Sequence, residues 1–115
     1  MKRGEVYWAE LVPRSGGEQT GRRPVILISH DGFNQTLGWR SIIVVPLSSS
    51  SSQGKRGLTV IELAGGTAGL PKTSFAVCHQ VTTLDRAQLT KRVGTLPAEA
   101  LREVEAGIKA ALDLD

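Results

Sequence analysis

The sequence predicts a mainly β (α+β) protein: a small, curled antiparallel barrel or sheet capped by a C-terminal helix. Three observations predict it. Short runs rich in valine, isoleucine and threonine recur through the first 96 residues, divided by clusters of glycine, proline and serine. Only the last segment carries sustained apolar spacing of three and four residues. A chain of 115 residues, 40% hydrophobic and 22% charged, suits one globular domain over residues 1–115.

The elements follow in order. Gly4 to Leu11, with Val6, Tyr7 and Trp8, reads as a first strand. From Pro13 to Gly21 apolar character disappears, which makes a loop longer than a tight hairpin needs. Arg23-Pro24 restarts order, and Val25 to Ser29 reads as a strand buried on both faces. His30 to Asn34 is turn chemistry leading to Trp39, and Ser41 to Leu47 is a further β-branched strand. The five serines from Ser48 to Ser52, with Gln53 to Gly57, read as a flexible linker. Leu58–Leu63 and Ser74–Val81 are strands around a turn at Ala64–Gly69. Leu84 to Leu89 suggests a short helical turn, and Lys91 to Leu96 a final strand. Leu101, Val104, Ile108 and Ala111/Leu112 then form one helical stripe, with Pro97 at the first helical position and Glu99 in the first turn.

Several function classes drop out on composition. No apolar stretch approaches the ~20 residues of a membrane span, and no apolar run follows the charged start as a secretory signal would require. One cysteine, Cys78, excludes an internal disulfide framework or a cysteine-cluster zinc site, and reads as a buried small hydrophobe. A metal-free, cytoplasmic protein is the expectation. The net charge of +3 is uneven: residues 1–57 hold eight basic and four acidic side chains, whereas residues 97–115 hold two and five. A basic body with an acidic tail suits a polyanion against the body.

Candidate chemistry concentrates in Glu18-Gln19-Thr20-Gly21-Arg22-Arg23-Pro24. Arginine offers a planar fork of donors matched to phosphate and keeps its charge at any working pH. Pro24 restricts the backbone of Arg23, and Glu18 can pair with it, tune it or accept a proton. Ser48 ends a strand expected to neighbour the one after Pro24, although nothing in the serine run separates it from Ser49. No nucleophile elbow surrounds it. Lys55-Arg56 fits a phosphate-tracking clamp or a solubilising loop tip; His79-Gln80, on strand positions, fits base-reading groups or ordinary strand residues. Nothing in the sequence brings His30 to His79. The aromatics read as core or interface, with Trp39 in a polar turn the exception.

In this order, Arg3-Gly4-Glu5-Val6-Tyr7-Trp8, Pro13, Gly17-Glu18-Gln19, Gly21, Arg23-Pro24-Val25, Ile28-Ser29 and Asn34 resemble the MazF/PemK family of toxin endoribonucleases. Val45-Pro46-Leu47-Ser48, Phe75-Ala76-Val77, Gln80, Thr83-Leu84-Asp85, Leu89 and Lys91-Arg92-Val93 extend the resemblance over nearly the whole chain. It implies a partly open, SH3-like (CcdB-like) barrel with a terminal helix, paired as a homodimer. It also implies sequence-specific, metal-independent and cofactor-free cleavage of single-stranded RNA, leaving a 2′,3′-cyclic phosphate and a 5′-hydroxyl. The catalytic positions fall on Arg23, Ser48 and Glu18. RNA contacts fall on Gln19, Thr20, Arg22, Ser49, Lys55, Arg56, His79 and Gln80. Ser48 stands where many members carry threonine, and His79 where many carry an acidic residue. An antitoxin with an acidic C-terminal segment lying over Arg23 is the implied partner. Two rival readings differ in class. A CcdB-type gyrase inhibitor would act in a supercoiling assay, and a plain RNA-binding barrel would leave RNA intact.

Overall fold

In the computed structural model, which describes residues 1–11, 21–55 and 57–115, seven antiparallel strands form an open, curled sheet closed by a terminal helix. The strands are β1 (Glu5–Leu11), β2 (Gly21–Leu27), β3 (Ser41–Ser48), β4 (Val60–Leu63), β5 (Ser74–Val77), β6 (Thr82–Asp85) and β7 (Leu89–Thr95). The helices are α1 (Asp31–Asn34) and α2 (Ala98–Leu112). The spatial order is β4-β5-β3-β2-β1-β7, with β6 also paired to β3. β3 is therefore the hub, bonded to β2 on one side and to β5 and β6 in succession on the other.

Strand alternation gives the sheet two cores. Ile26, Val45, Leu47, Ala76 and Cys78 face one cluster, which α2 covers with Val104 and its partly buried neighbours Leu101 and Ile108. Ala9, Leu11, Val25, Leu27, Ile42, Val44 and Leu84 face the other. The near-continuous burial of β3 follows, because both its faces are covered.

Two glycines make the layers close. Gly107 lets α2 settle on the sheet, since a Cβ there would stand 2.7 Å from the Cys78 sulfur. On β7, a Cβ at Gly94 would run into the carbonyl oxygen of Ala68. Gly94→Ala is expected to cost about 1–3 kcal/mol of stability through that overlap, read as a lower denaturant midpoint at unchanged slope.

The opening Arg3-Gly4-Glu5 is a structural clasp. Arg3 pairs with Glu105 of α2 at 2.6 Å and donates through Nε to the Ile28 carbonyl. Gly4 takes φ +93° and links β2 to the end of β7 through its backbone. Glu5 accepts from Arg92 at 2.7 Å and from the Tyr7 hydroxyl at 3.0 Å. Burial opposes its ionisation, but these donors and the Lys2 N–H outweigh it and hold the carboxyl below its ordinary pKa.

Several sequence expectations need correction. β2 starts at Gly21 and stops at Leu27, because pairing with β1 orders Gly21–Arg23 despite their polarity, while Ile28 and Ser29 leave the ladder. His30–Asn34 closes into the one-turn helix α1, with His30 Nδ1 accepting from the Gly32 N–H. The serine-rich segment is not linker throughout: Ser51–Lys55 forms a 3-10 turn. The Ser74–Val81 run breaks after Val77 into a 3-10 turn at Cys78–Gln80, so His79 and Gln80 are not strand residues. β6 takes Leu84 and Asp85 from the expected helical turn, and the turn proper is Arg86–Gln88. Pro97 is the helix cap, one position earlier than expected. Phe33 and Trp39 are half-exposed and stack on each other, with centroids 4.8 Å apart.

Candidate active site

The site residues sit where the β2–β3 ladder ends. Its bonded register runs Leu27–Val44, Ile26–Val45 and Val25–Pro46. Pro24 brings no N–H with which to continue it. Both strands run two residues beyond that last pair, to Arg23 and Ser48, which the same register, if continued, would set level. Alternation puts the two on one face, since Arg23 follows Val25 and Leu27 while Ser48 follows Ile42 and Val44. Expected only from separate motifs, the pair is thus brought to adjacent strand ends.

The neighbouring arginines divide. Arg22 takes the opposite face, where its guanidinium lies 5.0 Å from the centroid of the Trp8 ring. Such a contact contributes about 0.5–1 kcal/mol and holds the fork against the indole. Arg23 is exposed at the strand start, with Ala9 as its β1 partner. Gly21, at φ +77°, lets the chain enter β2 in a conformation that other residues rarely adopt.

Ser48 now separates from the serine run. It is 7% exposed, whereas Ser49 and Ser50 are exposed beyond the strand. Phe75 stands opposite it on β5, and its Oγ accepts a hydrogen bond from the Ser50 N–H at 3.2 Å. Sequence reasoning had no hold on Phe75 as a neighbour of Ser48, because only the β3–β5 register brings them together.

Other candidates lie elsewhere. Glu18, Gln19, Thr20 and Arg56 fall outside the described residues, and Lys55 closes the 3-10 turn that follows Ser48. His79 is exposed, with Nδ1 2.9 Å from the Thr59 hydroxyl. With Gln80 it occupies the turn after β5, and β5 runs away from Ser48 past Phe75. His30 is engaged in α1, so each histidine has its own local partner. Burial pushes the Cys78 thiol up to about 11, which leaves almost no thiolate for nucleophilic work. Among the described residues, no helix is long and apolar enough to cross a membrane.

A cation and a shielded hydroxyl on adjacent strand ends are donor types suited to an anion such as a phosphodiester. The architecture around it is that of MazF toxins. A solved MazF from Deinococcus radiodurans superposes with TM-score 0.79 at 23% identity, covering 99% of this chain and 97% of the other. The Mycobacterium tuberculosis toxin MazF-mt6 does so with TM-score 0.75 over 96% and 98%. An endoribonuclease solved in complex with its cognate antitoxin, from a mycobacterial species, gives 0.77 at 19% identity over 98% and 95%. Sequence carries the relationship further. Endoribonuclease MazF2 of Mycobacterium bovis is 35% identical over 99% of this chain and 98% of its own length. Endoribonuclease EndoA of Bacillus subtilis is 30% identical over 99% and 96%. The profile of the PemK-like, MazF-like toxins of type II toxin–antitoxin systems matches residues 2–112, and the chain belongs to that family.

Proposed function

We propose that this toxin is an endoribonuclease that cuts single-stranded RNA at short sequence motifs, using the 2′-hydroxyl of the substrate as nucleophile. The placement of Arg23 and Ser48 on one face of adjacent strand ends carries the reading. The 2′-oxygen bonds to phosphorus, the bond to the 5′-oxygen breaks, and a 2′,3′-cyclic phosphate remains. The proton leaves the 2′-hydroxyl for a base, and one is delivered to the departing 5′-oxygen, so the balance needs no metal or cofactor. The protein must hold the phosphate in line and stabilise the charge growing on its non-bridging oxygens. Arg23 supplies that charge, and its guanidinium is the candidate proton donor to the leaving oxygen. Ser48 adds a hydrogen bond to the phosphate. Glu18, five residues before Arg23 in the chain, is the candidate base or the residue that orients Arg23.

Arg22, Gln19, Thr20 and Ser49 flank this pair in sequence and belong to the RNA path, with Lys55 and Arg56 following in the chain. His79 and Gln80 act only if the path continues towards β6. The working unit is a homodimer, and a cognate antitoxin with an acidic C-terminal segment silences it by covering Arg23. The test is digestion of a long RNA by purified protein in excess EDTA, with every new 5′ end mapped. Discrete cuts at one short motif, each bearing a 5′-hydroxyl, are expected. Intact RNA, or cleavage only with added divalent metal, overturns the proposal.

A further inference from the structure

The Ser48 hydroxyl is not left to rotate. Its oxygen accepts the Ser50 N–H at 3.2 Å, two residues on, in the local side-chain-to-backbone turn that serine favours at strand ends. One lone pair is thereby engaged, and among the described residues the hydroxyl donates to nothing. The proton is consequently available for an acceptor outside the chain. Across the β3–β5 register Ser48 stands opposite Phe75, and a Cβ at Gly54 would stand 3.2 Å from the Phe75 ring. The turn at Ser51–Lys55 thus reaches the site by two routes, through the Ser50 backbone and through the Phe75 ring.

We infer that the backbone N–H of Ser50 is a positioning group, orienting the Ser48 hydroxyl so that it donates to the scissile phosphate. The inference rests on the proposed nuclease reading and deepens it. An oriented hydroxyl strengthens as a donor when its own oxygen accepts a bond, and it loses less freedom on reaching the transition state. The consequence is a particular role for Ser48. It is a hydrogen-bond donor to an anion, and its oxygen is ill-suited to accept the 2′-hydroxyl proton.

The group sits in the main chain, so its removal needs an amide-to-ester exchange at Ser50, introduced by synthesis with ligation at Cys78. That change deletes one N–H and keeps every side chain. The expected result is a fall in kcat of about five- to tenfold, the size of one lost hydrogen bond, with KM unchanged. In a Ser48→Ala background the ester is expected to add no further loss, measured under single-turnover conditions. Unchanged kcat in the ester protein, with Ser48→Ala still impaired, overturns the inference and leaves the nuclease reading standing. An equal further loss in the Ser48→Ala background also overturns it, because the effect then bypasses the hydroxyl. If Arg23→Ala and Ser48→Ala both cleave as the parent does, the site assignment falls and the inference with it; if the parent protein leaves RNA intact, the nuclease reading itself falls. Circular dichroism and melting of each protein separate these outcomes from misfolding.

Discussion

Arg23→Ala is expected to lower RNA cleavage by at least about a thousandfold while leaving the melting temperature nearly unchanged. The size follows from the chemistry proposed. Charge grows on the phosphoryl oxygens as the 2′-oxygen attacks, and donors aimed at such charge are worth on the order of 10²–10³ each, more when they are fixed cations. The fold is spared because Arg23 is exposed at the strand start and the core cluster of its face begins at Val25. Arg23→Lys keeps the charge but loses the planar fork, and is expected to fall between the two. Cleavage by Arg23→Ala at the parent rate would remove the assignment of this residue. Single-turnover rates on one defined oligonucleotide measure the whole series.

Ser48→Ala is expected to slow the same reaction roughly 10- to 100-fold, the span of one hydrogen bond to a charged group. Ser48→Thr is expected to retain activity, since the hydroxyl remains and the added methyl narrows its rotamers. Ser51→Ala and Ser52→Ala mark the boundary: both residues are exposed in the 3-10 turn beyond β3, and neither lies in the strand register that reaches Arg23. If Ser48→Ala cleaves normally and a neighbouring serine variant does not, the hydroxyl has been assigned to the wrong residue.

Much of this molecule was legible in its sequence, for identifiable reasons. The α2 stripe announces itself because its apolar residues repeat at the helical period, and β1 and β3 because they are short runs of β-branched and aromatic residues. What failed was whatever depends on a partner strand. Gly21-Arg22-Arg23 has no strand propensity, and is ordered by Glu10 and Leu11 across the ladder. His79 and Gln80 read as strand because Phe75-Ala76-Val77 does, yet the chain turns at Cys78 to meet α2, where the sulfur lies 3.6 Å from the Val104 carbonyl. The polar start of β6, Thr82-Thr83, is set by pairing to Ile43 and Val44.

The site shows the same division. Arg23 could be singled out by its charge, its proline and its loop. Ser48 stood out among five serines only through the family resemblance, because its shielding and its place opposite Phe75 are tertiary facts that the serine run does not carry. The motif Arg3-Gly4-Glu5 stood out in the sequence as strongly as the site residues, yet Arg3 ties the sheet to α2 and Glu5 ties β1 to β7.

The account depends on the substrate supplying its own nucleophile while Arg23 and Ser48 hold the phosphate. The most direct measurement uses a DNA strand carrying the recognition motif with one ribonucleotide, placed in turn at each position. Cleavage is predicted only when the ribose lies immediately 5′ of the scissile phosphate, giving a fragment whose mass fits a 2′,3′-cyclic phosphate. Cleavage of the all-deoxy strand, or a product carrying a 3′-hydroxyl, would contradict it.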